Sequence, residues 1–446
     1  MSDWAGRQLH FIAIGGAGMS GLALVCHGLG ATVTGSDRAE SSYLRRLRDA
    51  GLEPRIGHDA EAVPADAEIV VSTAIGEDNP ELARARERGQ RVLHRGALLA
   101  EICAERRLIA VAGTHGKTTT AGMLAHGLRA AGVDAPFLLG GELPGAGPGG
   151  EATNAAWGEN EWIVAEADES DASFLELRPE VAVITNIELD HHSRWRTNAE
   201  LTDAFRRFAA PASGVAVGPD LTLGGLTPRG QVSDLSTEGS DPRVLRFDTS
   251  EPGPQLNLSV PGRHNMLNAR AAVAAVELAG LDVDAFAATL ETFPGIRRRL
   301  ELKGHVGGAA VYDDYAHHPT EVAAALAALR ELDPGRLIAV FQPHLYSRTK
   351  ALSSRFGAAL AAADEVGVLE VYPAREEPVG ELAEVSGLQV AEATADRAAG
   401  KPVWWLRDAE SAIRALEPCL GEGDVLVALG AGDIGERFAE RLVDVG

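Results

Sequence analysis

Three stretches of the chain combine residue types that can handle phosphate. The first is AGTHGKTTT at 112–120, a glycine turn ending in Lys-Thr directly after the apolar run LIAV. A strand that breaks into such a turn and then a helix presents unpaired N–H groups and a positive dipole end to a phosphate chain. Lys117 adds a mobile charge for β- and γ-phosphates, and the Thr118 hydroxyl is a ligand for Mg²⁺. Gly113, Thr114, His115, Gly116 and Thr119 complete the loop. The match to GxxxxGK[ST] is imperfect, because the first glycine falls on Val111.

The second stretch is IAIGGAGMSG at 12–21, in which Gly16, Ala17, Gly18, Met19, Ser20 and Gly21 fit GxGxxG. Ser36 and Asp37 follow at the end of ATVTGSD. Alone, this is the fingerprint of an NAD-dependent oxidoreductase, but the same turn holds any nucleoside diphosphate. The third feature is a pair of acidic strand ends, EADESDASF after WIVA and TNIELDHH after VAVI. In parallel sheets the carboxyl ends of strands face the ligand crevice. Glu166 and His191, with Thr118, offer two oxygens and one imidazole, a set suited to Mg²⁺ or Mn²⁺ rather than zinc. Thr185 and Asn186 read as residues that satisfy backbone groups at a strand end, and His192 as a packed or solvated residue.

These residues need rigid elements to hold them, and the apolar runs supply candidates. LHFIAIG, ATVTGSD, AEIVVSTA and RVLHR form a first α/β unit; LIAVAGT, EWIVAEAD and EVAVITNI form a second, with LPGAGPGG as a loop inside it. Residues 211–254 read as turns and short strands. After Phe293-Pro294-Gly295 the pattern restarts with AAVYDDYA, LIAVFQP, EVGVLEVYPA, PVWWLR and DVLVALGAG. Strands alternating with helices imply mostly parallel sheets covered on both faces. The expected architecture is α/β in three domains: Rossmann-like 1–100, a P-loop-type nucleotide-binding domain 101–295, and Rossmann-like 296–446.

At 446 residues several cores are needed, because single domains stop growing well before this length. A formal net charge of −23 argues against a nucleic-acid partner, though local N–H cradles still bind anions. Cys26, Cys103 and Cys419 lack metal spacing and fit a reducing compartment. No run is apolar and long enough for a membrane span, so the cytoplasm is the expected location. Only four of the 41 basic residues are lysines, and none lies between Lys117 and Lys303.

GTHGKTTT, EADESDASF, TNIELDH, GRHNMLNA, RRRLE, YDDYAHHPTE, FQPHLYSRT and ALGAGDI, in this order between about residues 9 and 435, together resemble the Mur ligases of peptidoglycan synthesis. The resemblance implies an N-terminal domain for a UDP-sugar, a central ATPase and a C-terminal domain for an amino acid. It implies that ATP phosphorylates the lactyl carboxylate of UDP-N-acetylmuramate and that L-alanine attacks the acyl phosphate. Lys117 would hold the phosphates, Thr118 and Glu166 one Mg²⁺ (or Mn²⁺), and His191 a second. Asn265 and Asn268 resemble adenine-side asparagines, and Arg299 and Asp314 nucleotide contacts from the C-terminal side. Tyr315, His317, His344 and Arg348 resemble positions near the amino acid. In this setting Gly16 to Gly21, Ser36 and Asp37 serve the UDP-sugar.

Two features depart from the family pattern. Leu345 stands where some members have arginine, leaving carboxylate recognition to Arg348. The carbamylated lysine used by sibling ligases has no candidate here. Two other readings stay open: a recycling ligase that adds a whole tripeptide to the same sugar nucleotide, and a dinucleotide-dependent oxidoreductase. FQPHLYSRT favours the single-residue ligase. The chain is expected to act as a monomer or homodimer.

Overall fold

The strands form where apolar runs can be buried on both faces. RLIAVA, VAVI, RLIAVF and DVLVAL are almost wholly buried, as interior strands of parallel sheets must be. The computed structural model describes residues 4–147, 149–189, 194–219, 221, 242–250, 253–374 and 376–442. The chain forms two compact units, 1–259 with 266–294, and 260–265 with 295–446.

The first unit carries two sheets. One comprises β1 (Gln8–Ile12), β2 (Thr32–Asp37), β3 (Arg55–Ile56), β4 (Glu68–Val71) and β5 (Val92–His94), all parallel in the order β3-β2-β1-β4-β5. The other comprises β6 (Arg107–Ala112), β7 (Phe137–Leu143), β8 (Thr153–Ala156), β9 (Trp162–Glu166), β10 (Val181–Ile184), β11 (Gly214–Val217) and β12 (Arg243–Arg246). Its order is β12-β11-β10-β6-β9-β7-β8, parallel except for the β7–β8 pair. One apolar cluster runs from Leu9 and Phe11 through Leu138 and Ile163 to Phe174 and Phe208, so the two sheets share a core.

The helix Ala17–Gly28 shows how they meet. Gly21 and Gly28, seven residues apart on one helical face, lie against β8 and the residue after it. A Cβ on Gly21 would stand 2.9 Å from Asn154 Nδ2, and one on Gly28 would stand 3.2 Å from Trp157 Cβ. Thus the last glycine of GAGMSG serves a close helix–strand contact with the second sheet.

The second unit holds β13 (Glu301–Val306), β14 (Ala309–Asp314), β15 (Arg336–Phe341), β16 (Glu365–Val368), β17 (Val403–Trp405) and β18 (Asp424–Leu429). Their order is β13-β14-β18-β15-β16-β17, parallel except for the β13–β14 hairpin. The sequence reading covers five of these strands; β13 is the addition, together with the two-residue β3 and with β7 and β8 in the first unit. All four lie at sheet edges or in antiparallel pairs, where a very short or interrupted run such as FLLGGEL or ELKGHV suffices. No helix among the described residues is long and apolar enough to cross a membrane.

Burial leaves a pH signature in the second unit. It pushes the Asp313 and Asp314 carboxyls up to about 6, outweighing Arg298 for the first and Arg299 for the second. A carboxyl that holds its proton more tightly folded than unfolded contributes stability that is full below about 4 and declines as pH rises to about 6. His264, depressed to about 4 by burial, works in the opposite direction and masks part of this slope. Comparing Asp314→Asn with wild type isolates it. In urea unfolding the difference should move in the variant's favour by about 2–3 kcal/mol between pH 4 and 6. Parallel curves across that range would refute the burial of a charged Asp314.

Candidate active site

β6 delivers the chain into the loop at 113–116. Gly113 has φ +131°, Gly116 has φ +81°, and the helix Lys117–Ala130 begins immediately after. The segment following β10 clamps this loop. Asn186 Oδ1 accepts the His115 N–H at 2.8 Å, while Thr185 Oγ1 and Asn186 Nδ2 donate to the His115 carbonyl at 2.6 and 2.9 Å. Thr114 Oγ1 donates to the Glu188 carbonyl and accepts its N–H, both at 2.9 Å. Thr185 and Asn186 therefore satisfy backbone groups, and the groups they satisfy belong to the loop itself.

The side chains at the head of the helix meet the acids at the end of β9 and just after it. Thr118 Oγ1 donates to Glu166 Oε1 at 2.9 Å, and Glu166 Oε2 accepts the Gly140 N–H at 2.6 Å. Burial raises the Glu166 carboxyl above its ordinary range despite the opposing pull of Lys117. Lys117 Nζ donates to the Gly113 carbonyl (2.7 Å), the Thr114 carbonyl (3.2 Å) and Glu169 Oε2 (2.9 Å). Burial alone lowers an ammonium's pKa, but Glu169, Asp168 and Glu166 overcome that and hold Lys117 firmly protonated. Burial likewise raises Asp168, and Lys117, Ser170 and Arg95 more than reverse it, leaving an ionised carboxylate. Asn268 lies against the turn: a Cβ on Gly116 would stand 2.4 Å from its Oδ1. Lys117, Thr118, Glu166, Asn268 and the 113–119 loop are thus brought together, whereas His191 lies outside the described residues.

The GAGMSG loop follows β1 in the same unit. Gly16 caps the helix, and Asp37 Oδ2 accepts the Gly15 N–H at 2.9 Å, so one oxygen of Asp37 fixes the loop. Ser36 is fully buried behind it, donating to Glu81 Oε2 at 2.5 Å and 2.9 Å from His58 Nδ1. Ala17 and Met19 to Gly21 form the first turns, with Ser20 Oγ bonded to the Ala17 carbonyl at 3.0 Å.

Sequence reasoning missed Arg95, the first residue after β5. A Cβ on Gly18 would stand 3.1 Å from Arg95 Nη1, while Nη2 donates to Asp168 at 3.4 Å and Asp171 at 2.9 Å. One guanidinium thereby links the first glycine loop to the acids beside Lys117. Its position at the carboxyl end of RVLHR was the available signal.

In the second unit the residues after β14, β15 and β16 form an aromatic cluster. Tyr315 and His317 meet edge-on at 5.4 Å, His317 and His344 at 6.1 Å, and His344 stacks on Tyr372 at 5.7 Å. Arg348 Nη1 approaches His344 Nδ1 at 3.4 Å, and Arg298 and Arg299 lie over Tyr315 at 4.9 and 5.2 Å. Asp314 accepts the N–H groups of Leu300 and Ala316, both at 2.7 Å. Leu345 holds φ +70° just before the helix Tyr346–Leu360, with its N–H on the Tyr372 carbonyl at 3.0 Å. In the same unit Asn265 Nδ2 donates to the Pro261 carbonyl at 2.7 Å.

Comparison with known proteins fits this geometry. Residues 8–107 match the family model described as Mur ligase family, catalytic domain; 111–219 match the Mur ligase middle domain, and 298–432 the Mur ligase, glutamate ligase domain. A protein of Rubrobacter xylanophilus named UDP-N-acetylmuramate–L-alanine ligase is 44% identical, with 98% of this chain and 100% of that one covered. The chain belongs to the Mur ligase family. A protein of the same name from Mycolicibacterium vanbaalenii is 42% identical over 98% of this Mur ligase and 96% of its own length. Among solved structures, the UDP-N-acetylmuramate–alanine ligase of Thermotoga maritima superposes with a TM-score of 0.79 at 27% identity, covering 97% of this chain and 98% of that one. The murein peptide ligase of Psychrobacter arcticus shares the fold, with a TM-score of 0.67 at 24% identity over 99% and 100% of the two chains.

Proposed function

We propose that this Mur ligase joins L-alanine to the lactyl carboxylate of UDP-N-acetylmuramate, forming ADP and phosphate by way of an acyl phosphate. The observation that carries the reading is the loop after β6, where Lys117 and the Thr118–Glu166 pair converge at a helix N-terminus. Phosphoryl transfer between two anions needs positioning and charge neutralisation above all. Lys117 supplies a fixed positive charge there, and the N–H groups of the first helical turn cradle the phosphate chain. Thr118 and Glu166 place two oxygens 2.9 Å apart, a donor set that fits Mg²⁺ or Mn²⁺. When bound, such an ion neutralises phosphate charge; His191 is the proposed ligand of a second ion.

The three sheets divide the work in this reading: residues 1–100 bind the UDP-sugar, 101–295 ATP, and 296–446 the amino acid. The GAGMSG turn takes the diphosphate of the UDP-sugar, with Ser36 and Asp37 shaping its cradle. Asn265, Asn268, Arg299 and Asp314 serve the nucleotide. Tyr315, His317, His344 and Arg348 receive L-alanine, with the Arg348 guanidinium for its carboxylate. The likeness in name of relatives at 42–44% identity over almost the whole chain supports alanine as the acceptor. An oxidoreductase reading leaves the Lys117 loop and its acids without a role.

Phosphate release from ATP tests this directly. Release should require UDP-N-acetylmuramate and L-alanine together. Turnover only with an L-Ala-D-Glu-diaminopimelate tripeptide would make the enzyme a recycling ligase, and hydride transfer from NADH without phosphate release would refute both ligase readings.

A further inference from the structure

Lys117 has three protons and three acceptors, namely the carbonyls of Gly113 and Thr114 and one oxygen of Glu169. A phosphate oxygen can therefore be met only by releasing one of them. The carboxylate is the acceptor of unusual kind: Glu169 is only 1% exposed, too buried for water to screen its charge. Its other oxygen, Oε1, is buried without a hydrogen-bond partner among the described residues. Its backbone is fixed from the far side by Trp195, whose indole N–H donates to the Glu169 carbonyl at 3.0 Å. A buried carboxylate ion-paired with Lys117 at 2.9 Å, beside the place where an ATP tail must lie, repels that tail, and charge of both signs counts most where water is excluded.

We propose that Glu169 is a positioning residue that occupies Lys117 in the nucleotide-free enzyme and makes nucleotide binding conditional on a divalent cation. The inference rests on the reading of residues 112–120 as the ATP site. Without the cation, ATP must both displace Glu169 from the ammonium and lie beside Glu166, Asp168 and Glu169. With it, the added positive charge offsets these carboxylates, and Lys117 turns to the phosphates while Glu169 stays close enough to fix its direction.

Glu169→Gln keeps the shape and removes the charge. ATP binding is measured by calorimetry, once with EDTA and once with Mg²⁺, alongside Glu169→Asp, which keeps the charge. Metal-free ATP should bind Glu169→Gln about tenfold more tightly than wild type, the scale of one charge-assisted hydrogen bond, while Glu169→Asp stays near wild type. A purely structural role predicts equal or weaker metal-free binding in Glu169→Gln, and that result, or an Asp variant as tight as the Gln variant, overturns the proposal. If Glu169→Gln does not fold, Lys117→Met/Glu169→Gln removes both charges together and is compared with Lys117→Met. Tighter metal-free binding in the double variant supports the repulsion; equal binding overturns it. A wild-type enzyme that fails to bind ATP even with Mg²⁺ would instead refute the assignment of the loop.

Discussion

Lys117→Ala should lower ATP-dependent phosphate release at least about 10³-fold, the usual cost of removing a cation that stabilises a migrating phosphoryl group. No other lysine lies in the chain before Lys303, so nothing similar can substitute from sequence nearby. Arginine is a poor replacement, because the ammonium sits within 2.7 Å of the Gly113 carbonyl and 3.2 Å of the Thr114 carbonyl, leaving little room for a planar guanidinium. The same change also strips Glu169 of its buried partner. Removing one member of a buried pair typically costs about 3–5 kcal/mol, because an uncompensated charge stays inside. That cost has a sign in pH: Lys117 helps hold the Asp168 carboxyl below its ordinary range, a contribution that wild type loses on acidification and the variant lacks, so the deficit relative to wild type should shrink as pH falls. Binding of UDP-N-acetylmuramate, measured by calorimetry on folded protein, should survive, since the GAGMSG turn hangs from β1 and its own partners, Asp37 and Arg95. Loss of that binding would show that the two glycine loops do not serve two ligands.

What could be read in the residues, and what could not, follows from how each feature is encoded. β6, β10, β15 and β18 are interior strands, so their whole length is apolar and each stands out from its neighbours. β7 and β13 pair at sheet edges or in antiparallel ladders, tolerate glycine within, and give no continuous run. The same contrast holds at the site. Lys117 and Thr118 are local to one loop, and Glu166 ends a legible strand, so spacing alone brings them into view. Glu169 lies in the same quoted segment, EADESDASF, but which of its acids faces the lysine depends on the turn that follows β9 and on Trp195 pinning it from elsewhere. Arg95 is reached from a strand of another sheet, and only its place at the carboxyl end of RVLHR marks it. GAGMSG is the instructive intermediate case. Its glycines are plain in sequence, yet Gly18 answers to Arg95 and Gly21 to Asn154, contacts that a dinucleotide fingerprint would not suggest.

Gly113→Ala is the second large effect, and its cause can be separated into two parts. The residue holds φ +131°, where an L side chain costs about 1–3 kcal/mol. The added Cβ would also stand 2.0 Å from Thr185 Oγ1 and 3.0 Å from the backbone N and O of Asn186. That overlap cannot be relieved cheaply, because Thr185 Oγ1 donates to the His115 carbonyl at 2.6 Å and Asn186 holds the same carbonyl and the His115 N–H. Pushing them away releases the clamp on the loop and moves the Gly113 carbonyl that Lys117 grips. ATP affinity should therefore fall by more than about 100-fold, equivalent to about 2.7 kcal/mol, with a lowered melting temperature. Thr185→Ala vacates the space that the new methyl needs. In a double-mutant cycle the pair should couple favourably by about 0.5–3 kcal/mol in stability, while the φ cost remains and nucleotide binding is not restored. Additive single effects would place the penalty in the backbone dihedral and the Asn186 backbone contacts, and none of it in the contact with Thr185 Oγ1.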